Sequence, residues 1–172
     1  MIGLKQSGSS MIEIMIAMII TVIGLLGVAS MQGNALKYQK TSEQRSQAMQ
    51  ASFDLGERMR ANAIASKKKL YEYKTPYAST VASTPVVPTC TAPCSGAQIA
   101  SIDQAKWLTS LAERLAGGAG YIVANPLGGY DVTVMWKDPT LAELDPACSA
   151  APTAIPSAPG TGVRCYVVTF TP

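Results

Sequence analysis

The chain has 172 residues, with 14 Lys and Arg against 11 Asp and Glu, no histidine and four cysteines. That length holds one ordinary domain plus an appendage, and a net charge of +3 gives no field that argues for nucleic acid as a partner. The missing histidine removes the commonest general base and the commonest zinc ligand, which makes triad hydrolases and typical zinc sites poor guesses, and no cofactor is expected.

The chain opens on MIGLKQSG, a polar stretch with one lysine that ends at Gly8. From Met11 to Met31 the only ionisable side chain is Glu13, and helix formers dominate. At 1.5 Å per residue this run spans about 30 Å, the thickness of a bilayer's hydrocarbon. Residues 9–31 are therefore expected to form a membrane-spanning half of an N-terminal helix. An acidic residue at the centre of such a helix costs about 2.5–3.5 kcal/mol on insertion scales, so Glu13 calls for a partner. Lys5 flanks one end and Lys37 and Lys40 the other, so charge bias alone does not set the orientation. Gly24 and Gly27 admit two readings: local loosening of the helix, at about 1 kcal/mol per glycine relative to alanine, or a small-residue face for packing against another helix.

The helix is expected to continue beyond Met31, since no proline interrupts residues 35–65. Met49, Phe53, Gly56, Met59 and Ala63 recur at helical spacing, with Glu43, Gln47, Gln50, Asp54 and Glu57 on the opposite side. Asp54 and Arg58 form an i,i+4 pair in the favourable order. Lys67, Lys68 and Lys69 read as a solvated helix end rather than a phosphate-binding patch. Residues 75–97, rich in Pro, Thr, Ser and Ala, read as an extended surface loop. Ser95 and Gln98 then have capping-box spacing ahead of a helix carrying Ile99, Ile102, Trp107, Leu108, Leu111 and Leu115 and ending at Gly117-Gly118. Strands are expected over 121–124, over 130–136 with Val132, Val134 and Trp136 on one face, and over 165–170. Trp107 and Trp136 are expected in the core. The predicted fold class is α+β: a long N-terminal helix whose amphipathic half covers a small antiparallel sheet, with one additional helix, the head running over residues 32–172.

Cys90, Cys94, Cys148 and Cys165 all lie beyond the apolar run, and an even number on one side suggests an oxidising compartment. Four cysteines allow three connectivities. Nearness in the chain favours Cys90–Cys94 and Cys148–Cys165, the second closing a loop worth roughly 3 kcal/mol on the chain-entropy model. Buried free thiols are the alternative. CTAPC has one residue too many for a thioredoxin-type C-x-x-C, which makes a redox-enzyme reading weak.

A polar leader ending in Gly8, then Ser9-Ser10-Met11-Ile12-Glu13 and an apolar helix, resembles the type III leader of prepilins. Further along, IGLLGVASMQ, SEQRSQAMQASFDLGERMRANAIA, the C-x-x-x-C loop and VTVMW resemble the PilV-type minor pilins of type IV pili, DLGERMRAN being the most specific part. The resemblance implies a type IV pilin-like fold whose apolar half protrudes from an α/β head. It implies a leader over residues 1–8, cleavage between Gly8 and Ser9 by a membrane prepilin peptidase, N-methylation at Ser9, and an assembly role for Glu13. Ser9 stands where that family usually has phenylalanine. The leader is then cytoplasmic, the cysteines outside, and the chain a single-pass inner-membrane protein with a periplasmic head that later enters an extracellular pilus. Its partners by resemblance are other minor pilins and the major pilin, at the pilus tip or in the initiation complex, in support of assembly, adhesion or twitching motility.

Two other function classes share part of the pattern. A minor pseudopilin of a type II secretion system would have the same leader, Glu13 and fold. A membrane-anchored enzyme would need a reactive constellation in the head, and the sequence offers only scattered Asp, Glu, Lys and Tyr, so the chain is expected not to be an enzyme.

Overall fold

The computed structural model describes residues 11–83, 85–149 and 159–171. Its elements are α1 (Met11–Ala61), α2 (Ala63–Lys67), α3 (Tyr77–Ala82), α4 (Gly96–Arg114), β1 (Ala119–Ala124), β2 (Tyr130–Lys137), α5 (Pro146–Ser149) and β3 (Val163–Phe170). The fold is α+β, a long N-terminal helix followed by a small three-stranded antiparallel sheet. Contacts divide the chain into two compact units, Met1–Lys40 and Thr41–Pro172.

The second unit is built on the sheet, in the order β1-β2-β3. Ile122 pairs with Val132 and Val132 with Val168, while Gly120, Val134 and Tyr166 form another cross-strand row. Because side chains alternate along a strand, these rows share one face. There Ile122, Val132, Val134 and Trp136 join Ala48, Ala51, Leu55 and Met59 of α1 and Trp107, Leu108 and Leu111 of α4 in one core. The opposite face is also covered: Ala119, Tyr121, Met135 and Cys165 pack with Tyr77 of α3 and Cys148 of α5. Every residue of β2 except Lys137 is consequently buried.

That second core corrects the expectation of an extended loop over 75–97. Tyr77 opens a short helix there, is itself buried, and donates its hydroxyl to the Gly117 carbonyl at 3.0 Å. A sheet with two apolar faces needs cover on both, and Tyr77, one aromatic among prolines and threonines, supplies part of it beside Cys148.

The face of α1 also differs from the one read by side-chain size. The buried residues are Gln44, Ala48, Ala51, Ser52, Leu55, Gly56 and Met59, whereas Met49 and Phe53 are 42 % and 49 % exposed. Small residues let the helix approach closely, and the volume comes from the other side. The clearest case is Gly56, where a Cβ would meet the Phe170 ring at 2.7 Å. Phe53 packs edge-on to that same ring from the flank, centroids 5.9 Å apart.

α4 starts as its sequence predicts. Gln98 N–H donates to Ser95 Oγ at 3.3 Å and Ser95 N–H to Gln98 Oε1 at 2.9 Å, a reciprocal capping box. Trp107 then ties α4 to α1 by donating its indole N–H to the Ala51 carbonyl at 2.9 Å. On the sheet side it lies against Gly120, where a Cβ would fall 2.2 Å from its ring.

Charged residues of DLGERMRAN fasten the same junction. Arg58 donates to Asp54 at 2.9 Å and to Asp103 of α4 at 3.2 Å. Tyr71 donates its hydroxyl to the second oxygen of Asp103 at 2.7 Å, and Asn62 donates to the Gly96 carbonyl at 2.9 Å. Burial, and then the Asp103 carboxylate, push the Tyr71 hydroxyl well above the ordinary phenol range. The lysine run closes α2, with Lys69 in the left-handed region at φ 59°.

Candidate functional site

Gly8 and Ser9 lie outside the described residues, as does the rest of the segment 1–10. Glu13 stands in the first turn of α1 and is exposed in the single chain. After it the helix presents apolar side chains on every side: Ile16, Ile20, Ile23, Leu25, Leu26 and Met31 are all more than half exposed. Among the described residues α1 is the one helix long and apolar enough to cross a membrane, and none of its most apolar window is buried.

Such a surface does not stay in water. Burying one large aliphatic side chain is worth about 1.5–3 kcal/mol, and a soluble monomer rarely exposes a continuous patch of this extent. Lipid or other apolar helices must therefore cover it. One polar group within the run is satisfied locally: Thr21 Oγ1 donates to the Met18 carbonyl at 2.8 Å. At Gly24, Gly27 and Gly33 an added Cβ would meet no atom within 4 Å. Among the described residues nothing packs against these positions, so small residues there leave room for whatever covers the helix.

In the second unit two disulfides close the loops, Cys90–Cys94 and Cys148–Cys165, with Cα atoms 5.8 Å and 5.1 Å apart. The second joins α5 to β3 and so closes the long connection after β2. Asp138 pins the start of that connection. Its side chain is 2 % exposed and accepts from Arg164 Nε and from Thr140 N–H and Oγ1, the last two at 2.9 Å and 2.6 Å, while its own N–H donates to the Gly162 carbonyl at 2.9 Å. No periodic signal marks Asp138; it follows β2 directly, and the pairing of β2 with β3, which sets Trp136 opposite Arg164, brings the Asp138 and Arg164 side chains together.

Burial by itself would raise the Asp138 carboxyl, but the donors from Thr140 and Arg164 outweigh it and hold it below the usual carboxylate range. A depressed carboxyl adds stability above its unfolded value and loses it as pH falls through the folded value. The melting temperature of the protein is thus expected to fall as pH drops below about 4, and Asp138→Asn to flatten that slope. Thermal melts followed by circular dichroism measure both; parallel slopes for the two proteins would contradict this role.

Residues 30–105 match the model of the Tt1218-like family, described as Type IV pilin Tt1218. Over that stretch the chain is similar to a type IV pilin. No curated protein and no solved structure matches the chain significantly. The family match supports a pilin role, and the fold is consistent with a type IV pilin: a long N-terminal helix followed by a small three-stranded antiparallel sheet. The apolar part of α1 precedes most of the matched stretch and is consistent with membrane anchoring and with assembly among other pilins in a pilus.

Proposed function

We propose that the chain is a minor pilin of a type IV pilus, of the PilV type. It is made with a leader over residues 1–8, which prepilin peptidase removes between Gly8 and Ser9, leaving a Ser9 amine for methylation. Residues 9–31 hold the subunit in the inner membrane with residues 32–172 in the periplasm until it is drawn into a pilus with other minor pilins and the major pilin, near the tip or in the initiation complex. Its role is structural rather than enzymatic and supports assembly, adhesion or twitching. The observation that carries this reading is an uncovered apolar stretch on the same helix that, from residue 30 onward, matches a type IV pilin.

The physics of assembly follows from that helix. Before assembly lipid satisfies it, and afterwards neighbouring helices do, so the exchange is nearly neutral for the apolar side chains. Specificity then comes from charge. Glu13 pairs with the cationic amine of an adjacent subunit, a group that exists only after leader removal, because before cleavage that nitrogen is an amide. In a low dielectric the pair forms only in the aligned register. The test is to shear pili from producing cells: the chain is expected in the purified pilus fraction, and its recovery with secretion components and not with pili would contradict the reading.

A further inference from the structure

The pairing pattern leaves part of the β3 edge open. Ile122 turns both main-chain groups away from β2 to Tyr73, each bond 2.8 Å long, so Val132 opposite it turns its own toward Val168 of β3. By alternation, Val163, Cys165, Val167 and Thr169 point their N–H and C=O groups away from β2. Cys165 N–H does so, donating to Asp145 at 3.3 Å. At the opposite edge Tyr73 and Glu72 close β1, Glu72 accepting from Ala124 N–H at 3.2 Å. The outward groups of Val167 and Thr169, by contrast, have no partner among the described residues; Val167 is half-buried and Thr169 exposed. Residues 166–170 carry no charge and no proline, the usual guards of an edge against pairing with another strand.

An apolar strip accompanies that edge. Gly56 and Phe53 of α1 both meet the Phe170 ring of β3, and Met49, one turn before Phe53, shares their side of the helix. Met49 and Phe53 are exposed, and Tyr166 and Val168 of β3 are only partly buried. The open edge is also its own complement. About a two-fold axis at Val168, Val167 of each copy faces Thr169 of the other, so that each open N–H meets an open C=O. This register uses both open residues and leaves the Cys165–Asp145 bond undisturbed. It sets Tyr166 opposite Phe170 and Val168 opposite itself, aromatic and β-branched pairs that bring no like charges together. Phe53, resting on Phe170, is then at hand to cover Tyr166 of the second copy.

We propose that two copies of this chain join their sheets edge to edge through β3, antiparallel about Val168. The contact is isologous, so it closes as a dimer and does not grow into a fibre. Its axis is normal to the sheet, and α1 packs on a face of that sheet from Ala48 to Met59, so α1 of the second copy runs the opposite way. Copies anchored side by side in one membrane do not meet like this. The contact joins copies presented to each other from opposed directions.

Sedimentation of the full chain in detergent over a dilution series is expected to show a monomer–dimer equilibrium. Val167→Pro deletes an outward N–H and no bond of the β2–β3 ladder. It and Val167→Lys are each expected to raise the midpoint by about tenfold or more, and Val167→Thr to keep it, with thermal melts showing which variants stay folded. Val168→Cys is expected to cross-link to its own copy under mild oxidation, since such opposed residues lie about 4.5 Å apart, within disulfide reach. Tyr166→Cys, which faces Phe170, is expected not to. A chain that stays monomeric at every concentration, a dimer that both Val167→Pro and Val167→Lys leave unchanged, or equal cross-linking of the two cysteine variants overturns the proposal.

Discussion

Trp107→Ala is expected to lower the melting temperature of the full chain by roughly 10 °C. Trp107 is 1 % exposed and belongs to the core between α1, α4 and the sheet. Truncating a buried aromatic to alanine costs about 3–5 kcal/mol through lost burial and the cavity left behind, a large share of a typical stability of about 5–15 kcal/mol. Collapse into that cavity is resisted from both sides. Ala51 carries the carbonyl that receives the indole N–H, and Gly120 has no side chain to move inward. Trp107→Phe keeps most of the ring and loses chiefly the hydrogen bond, about 0.5–1.5 kcal/mol. Melts of the three proteins in one detergent give the ranking directly. Equal melting temperatures for Trp107→Ala and the parent would mean that this junction does not hold the head together.

Glu13→Ala is expected to leave leader removal intact and to lower recovery of the subunit in sheared pili by about tenfold or more, since breaking one partner of a buried pair leaves the other charge uncompensated. The head should be unaffected, because Glu13 lies in the first compact unit and the core described above lies wholly in the second. Glu13→Gln separates charge from size: if pairing with an amine is what matters, it behaves as Glu13→Ala does. Normal recovery of both variants in pili would remove Glu13 from assembly, while a variant that keeps its leader would move its role to processing.

Much of the head was legible in the sequence because its signals are local. Ser95 and Gln98 marked the start of α4 through spacing alone, and the capping box is present. Alternation over 130–136 marked β2, and Val132, Val134 and Trp136 do share one core. What local patterns do not carry is the identity of a partner surface. Reading α1 by its largest apolar side chains put Met49 and Phe53 on the core face, but Trp107, Tyr130 and Phe170 already fill that space, so Ala48, Ala51 and Gly56 take the contact. The same limit applies to DLGERMRAN. Taken alone, Asp54, Glu57, Arg58 and Arg60 describe a solvated face, and it is Asp103 and Tyr71, distant in sequence, that turn Arg58 into a junction.

Tyr77 and α3 were missed for a related reason. A Pro/Thr/Ser-rich stretch gives no periodicity, and the apolar face it covers exists only after the sheet has formed. For the candidate site the apolar run and Glu13 were plain from composition. The Asp138–Arg164 pair was not, since the two residues meet only once β2 and β3 have paired.

The central claim, that α1 becomes an assembly surface once a leader is removed, is tested most directly by the intact mass of the chain purified from cells with and without prepilin peptidase. With the peptidase, the expected mature chain begins at Ser9 and carries one added methyl group; without it, the mass is that of the full sequence. A chain that retains MIGLKQSG in both cells would contradict it and leave α1 as a plain anchor.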